Sequence, residues 1–235
     1  MPGSPLRRRW DDLRIRFHEE GFYRSWTIDA NDGIIATAGL LFGFAGAGAS
    51  NRLLVFTATA ATIAGGLSVG GAAWAEAAAE RDAQLMRAEQ ERADLAADPE
   101  GELDELTQHW LGRGLSAEVA GEVARQLTAH DALGAQLEWE YSFREPVPVS
   151  YPIWFAVGAG LAYVVGAAVP LLITYFAPVE IEPWAILAAV VLALVLSSLV
   201  AARAGQLMPR RMLVRTLVVG MITMVVSFVA GELLL

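Results

Sequence analysis

Two pairs of acids, Glu91 with Asp94 and Glu102 with Glu105, each stand three residues apart in a polar part of the chain. On a helix that spacing puts both side chains on one face, about 5–6 Å apart at Cβ. Like charges so placed repel and destabilise the helix unless a cation sits between them. Carboxylates are hard ligands, suited to Mn²⁺, Fe²⁺, Mg²⁺ or Ca²⁺ rather than to softer ions. A solvated helix face is the other reading, with Arg87 and Arg92 placed to pair some of these acids. A further carboxylate, Asp32, lies in DANDGIIATAGLLFGFAGAGAS, residues 29–50, at the head of an apolar run. Charge near a bilayer core costs roughly 2.5 to 3.5 kcal/mol on insertion scales. Such a residue either snorkels to the interface or works on an ion path. Asn31-Asp32-Gly33 could also cap a helix N-terminus, where a negative side chain is stabilised by the helix dipole.

The composition says what must position these groups. The 235 residues are 55% hydrophobic, with a mean hydropathy of +0.43, far from that of an ordinary soluble domain. There is no cysteine, so disulfides, thiolate metal sites and thiol catalysis are excluded. Net charge is −9, every basic side chain is arginine, and the only histidines are His18, His109 and His130. That balance argues against a nucleic-acid partner. Without a nucleophile elbow, phosphate loop or histidine cluster, the chain is not expected to be an enzyme.

Five segments, roughly 30–50, 53–75, 152–177, 184–203 and 213–233, have the ~20 residues that a bilayer span needs. Residues 76–145 between the second and third hold 17 acids and 6 arginines, a net of −11. The expected fold is thus an all-α membrane protein: five transmembrane helices, with an acidic helical insert between spans two and three. Arginines 7, 8, 9, 14, 16 and 24 precede span one, and Arg203, Arg210, Arg211 and Arg215 flank the link between spans four and five. Basic ends face the cytoplasm, which puts the N-terminus and the insert inside and the C-terminus outside. Residues 1–25 lack the apolar core of a signal peptide and suit a basic, aromatic helix on the anionic membrane lipid surface. A bacterial inner membrane fits that pattern.

Span two runs without a breaker through to Ala97. Asp98 then caps a second helix with Pro99 at its first position, Gly112 and Gly114 end it, and Ser116 caps a third that reaches toward Pro146 and Pro148. Leu103, Leu106, Trp110, Val119, Val123 and Leu127 recur at helical spacing, enough for a small three-helix core. The expected organisation is 1–25, an N-terminal helix; 26–75, spans one and two; 76–145, the insert; and 146–235, the last three spans.

These stretches resemble the vacuolar iron transporter (VIT) family over nearly the whole chain. ANDGIIATAGLLFGFAGAGAS is similar to the family's first span, and residues 81–133 resemble its cytosolic metal-binding domain. VVGAAVPLLITYF and RRMLVRTLVVGMITMVVSFVAGELL resemble spans three and five. The resemblance implies a five-span homodimer that moves Fe²⁺ or Mn²⁺ out of the cytosol, with proton antiport as the coupling seen in characterised members of the family. It implies Asp32 on the ion path and Glu91, Asp94, Glu102, Glu105 and Glu140 as the acids of the metal-binding domain, with Asp94 where Glu is usual. It also exposes departures. Val69, Ala73 and Trp74 stand where the family has Met, Glu and Tyr, which keeps a second reading open: a membrane-anchored metal-binding or sensing relative that does not transport. Glu76, Glu80, Met86, His109, His130 and, at the N-terminus, Glu19 and Glu20 are minor ligand candidates. The spacings Gly39-xxx-Gly43 and Gly66-xxx-Gly70 allow close helix approach.

Overall fold

A computed structural model describes residues 20–177, 182–205 and 209–234. Seven helices account for almost all of them: α1 (Glu20–Gly46), α2 (Asn51–Ala97), α3 (Pro99–Gly112), α4 (Ala117–Tyr141), α5 (Tyr151–Phe176), α6 (Glu182–Gly205) and α7 (Pro209–Leu234). Among the described residues there is no strand. The expected helix over 1–25 and the candidate Glu19 lie outside them up to position 19. The chain forms two units, one from the helices up to Ala73 and from Trp154 onward, the other over Trp74–Ile153.

In the first unit, α1 packs on α6 and α7, and α6 on α7. Ile34, Ala38 and Leu41 of α1 meet Ile186, Val190 and Leu194 of α6, with Leu54 and Ala58 of α2 and Met224 of α7. The three- and four-residue steps on α1 and α6 are those of one helical face. Glycines bring backbones together. A Cβ on Gly160 of α5 would stand 2.8 Å from the Gly66 carbonyl, and one on Gly70 would stand 3.0 Å from the Ala156 carbonyl. Gly39 and Gly43 lie against Thr223 and Ser227 of α7. Both small-residue spacings thus serve packing within the chain. Phe56, Leu67, Phe176 and Leu233 remain exposed, a large apolar surface that water would not tolerate. Among the described residues, three stretches are long and apolar enough to cross a membrane: one within α2, Tyr151–Phe176, and Leu213–Leu233. Trp184–Ser197 is apolar but shorter.

The alternative reading of Asn31-Asp32-Gly33 as a helix cap fails. The helix is already formed at Glu20 and ends at Gly46, so Asn31-Asp32-Gly33 lies three turns inside it and caps nothing. The run of polar residues before Ala30 contains no Pro or Gly other than Gly21, so nothing stops the helix from starting earlier.

The second unit follows the local rules closely. The Asp98 carboxylate accepts from the Gly101 N–H at 2.9 Å, with Pro99 in the first turn of α3. Gly114 takes φ +94°, a left-handed conformation that suits glycine, just past the end of α3. Ser116 caps α4. Asp131 breaks α4 and recaps it, its Oδ1 accepting from the Gly134 N–H at 3.0 Å. The core differs in detail from the expected stripe. Leu106 packs with Ala124 and Ala135, flanked by Leu103, Trp110, Leu127 and Trp139. Val119 is exposed and Val123 lies outside the cluster. α4 turns its alanines, Ala120 and Ala124, inward, because small side chains leave room for Leu106 and Trp110 of α3. From α2 the buried stripe is Ala77, Gln84, Ala88 and Glu91. Gln84 and Arg81 clamp the chain after α4: Val147 N–H donates to Gln84 Oε1 at 2.9 Å, and Arg81 Nε donates to the Val147 carbonyl at 3.1 Å.

Candidate metal centre

Glu91 is the centre of the second unit's acids. It is 3% exposed, and its Oε1 has no hydrogen-bond partner. A buried carboxylate oxygen without a partner carries a desolvation cost that nothing in the protein offsets. Burial, then the charges of Glu140 and Glu102, push the Glu91 carboxyl up to about 7, with a hydrogen bond to Glu102 and the Asp94 charge adding to the rise. Glu102 is also raised, by burial first and then by Glu105. Residues from α2, α3 and α4 therefore act on one another, although Glu91 and Glu140 are 49 positions apart in sequence.

The neighbours hold these acids in different ways. Asp94 accepts from Gln90 Nε2 at 3.1 and 3.0 Å. Glu140 accepts from the Tyr141 hydroxyl, a bond that raises the phenol. The Arg87 guanidinium lies 5.5 Å above the Tyr141 ring, a cation–π contact. Glu105 is exposed. Among the described residues, none of the five acids forms an ion pair. The arginines pair elsewhere: Arg87 with Glu80, Arg92 with Glu89, Arg125 with Glu122, and Arg144 with Asp131 and Glu138. Also among the described residues, no three carboxylates or imidazoles already converge tightly enough to enclose an ion. Mutual repulsion keeps uncompensated carboxylates apart, and a dication would have to draw them together.

Sequence reading missed Gln136. Only 2% exposed, it donates from Nε2 to the Glu102 carbonyl at 2.7 Å and to Glu102 Oε2 at 2.9 Å. Its one local signal is a polar residue inside a run of buried positions, Gly134 to Leu137. Of the minor candidates, Glu80 is used by Gln84 at 3.1 Å, while Glu76, Met86 and His130 are exposed. His109 meets Trp110 edge-on and lies tilted against Trp139.

In the first unit the Asn-Asp-Gly triplet divides its labour. Asn31 is buried and accepts from the Ser197 hydroxyl of α6 at 2.6 Å. Gly33 lies against the Tyr163 carbonyl and the Ala167 nitrogen of α5. Asp32 alone is exposed and has no ion-pair partner among the described residues. Val69 and Ala73 are half-buried and Trp74 is exposed; the first two carry no ligand atom.

The helices and their apolar surfaces define an all-α integral membrane protein, whose chain includes an acidic helical unit over Trp74–Ile153. The model of the VIT family matches residues 23–232. The chain belongs to that family. Among its relatives, the "Vacuolar iron transporter" of Acanthamoeba castellanii is 36% identical over 125 residues, which cover 53% of this chain and 45% of that protein. "Vacuolar iron transporter 2" of Oryza sativa subsp. japonica is 28% identical over 157 residues, 66% of this chain and 63% of that one. "Vacuolar iron transporter 1" of Eucalyptus grandis is 26% identical over 197 residues, 82% and 78% of the two chains. The match thus spans under half of the amoeba protein and under two thirds of the rice protein.

Proposed function

We propose that this chain is a divalent metal transporter that carries Fe²⁺ or Mn²⁺ out of the cytosol. The observation that carries the reading is a set of five carboxylates, none of them in an ion pair among the described residues, built around Glu91, whose buried Oε1 lacks a partner. An oxygen-only donor set of high charge suits a hard dication. Glu91, Asp94, Glu102, Glu105 and Glu140 collect the ion on the cytosolic side. Asp32 receives it in the membrane and exchanges it for a proton, the coupling that antiport needs. An intramembrane carboxylate with no partner is functional by default. Five apolar segments of span length support five spans, and the arginine distribution supports an inside N-terminus and an outside C-terminus. A homodimer would give the exposed apolar faces a second copy to pack on. The family membership and the printed names of the relatives support iron as cargo.

The second reading, a metal-binding or sensing protein that does not transport, is favoured by Val69 and Ala73, where the family resemblance leads one to expect ligands. Proteoliposomes with a metal-sensitive dye inside separate the two. Transport predicts Mn²⁺ or Fe²⁺ uptake that falls at least about tenfold in Asp32→Asn, while binding at the acidic unit is kept. Binding without flux by the unaltered protein leaves only the sensor.

A further inference from the structure

Gln136 sits in a buried run near the C-terminal end of α4, and no step of the ion reading uses it. Its amide makes three hydrogen bonds. Nε2 donates to the Glu102 carbonyl (2.7 Å) and to Glu102 Oε2 (2.9 Å), and Oε1 accepts from Trp139 Nε1 (2.8 Å). An indole N–H can only donate, so the amide oxygen has to face Trp139 and the NH₂ has to face Glu102. A flipped amide would set oxygen against oxygen at Glu102 and N–H against N–H at Trp139. Trp139 is itself held, its ring 4.7 Å from that of His109 on α3. The sense of the amide is therefore fixed from both ends.

We propose that Gln136 is a positioning residue for ion capture: locked by Trp139, it holds Glu102 Oε2 and leaves Glu102 to meet the ion through its other oxygen. This rests on the ion-collecting reading above. Without the amide, the Glu102 side chain would be free to swing away from Glu91, whose charge and burial already oppose the ionised pair. Groups that orient a metal's ligands are commonly worth 10–100-fold in affinity, by the general behaviour of such outer partners. Because Nε2 is a donor and Oε1 is taken, Gln136 acts through Glu102 and is not itself a ligand.

The test is a double-mutant cycle on the full chain in lipid nanodiscs, with Mn²⁺ binding followed by the spin-resonance signal of free Mn²⁺. Gln136→Leu should weaken binding about tenfold. In a Glu102→Ala background the same change should have almost no further effect on affinity, because there is no carboxylate left to orient. Its effect on thermal stability should persist in both backgrounds, since the bond to the Glu102 carbonyl is lost in either. A purely structural role predicts equal affinity losses with and without Glu102. Trp139→Phe, which removes one of the two restraints on the amide but keeps Gln136, should weaken Mn²⁺ severalfold, and it carries the test if Gln136→Leu does not fold. Unchanged affinity in Gln136→Leu, or in Trp139→Phe when only that variant folds, overturns this inference alone. An unaltered protein that binds no Mn²⁺ overturns the ion-collecting reading and this inference with it.

Discussion

Glu91 is an acid placed where an apolar residue would ordinarily sit, on the same α2 stripe as Ala77 and Ala88. Its cost to the empty protein can be measured. The ordinary glutamate value is 4.5, and in the fold the group is pushed up to about 7. A carboxyl raised on folding contributes stability that is present in full below 4.5 and is lost as pH rises through about 7. The ion-free protein should therefore lose stability between pH 4.5 and about 7, and Glu91→Gln should flatten that slope in thermal unfolding while weakening Mn²⁺ binding. In the unaltered protein Mn²⁺ must displace a proton from Glu91, so its affinity should climb through pH 7 in calorimetry. An apparent affinity independent of pH between 6 and 8 would remove Glu91 from the centre.

Glycine contacts set how the helices of the first unit pack. Gly166 of α5 lies against the Ala30 carbonyl of α1, with no room for a Cβ, whereas a Cβ on Gly71 of α2 would meet nothing within 4 Å. Both are helical glycines, so propensity alone favours alanine at each by about 0.5–1 kcal/mol. Packing reverses the sign at one of them. Gly166→Ala should cost about 1–3 kcal/mol through overpacking, read as a lower melting temperature in detergent, while Gly71→Ala should be neutral or stabilising. The same contact bears on function, because Ala30 immediately precedes Asn31 and the contact holds the α1 backbone that presents Asp32. Pro170, buried one turn beyond Gly166, leaves the Gly166 carbonyl without its helical donor, a defect that membrane helices tolerate when neighbours or water satisfy it.

The molecule as a whole divides into a lipid-suited unit and an acidic one, and ion binding should stabilise them unequally. A ligand present at 100 times its Kd adds about 2.7 kcal/mol to the state that binds it. If the acids of α2, α3 and α4 close on Mn²⁺, amide exchange over residues 74–153 should slow while that of α1, α6 and α7 changes little. Hydrogen exchange with and without Mn²⁺ reads this directly. Protection confined to the first unit would place the ion away from Glu91 and its neighbours.

What the amino-acid sequence determined by itself is what short-range physics governs. Apolar length marked out the helices of the membrane unit, and Asp98-Pro99, Gly114 and Ser116 set the limits of α3 and α4 through bonds and dihedrals spanning a few residues. The absence of cysteine and the crowding of acids into one segment restricted any ion site to hard oxygen donors. What only the tertiary structure decided depends on groups far apart in the chain. Asn31 and Ser197 are 166 positions apart, and their bond is what separates a packing role for Asn31 and Gly33 from the open carboxylate of Asp32. Gln136 became meaningful only when α4 brought it 34 positions back to Glu102. Spacing could nominate Val119 and Val123 for the core as readily as Ala120 and Ala124, because adjacent helical faces differ by a single residue step. The fit against Leu106 chose between them, and the burial of Glu91 likewise shows only in the fold.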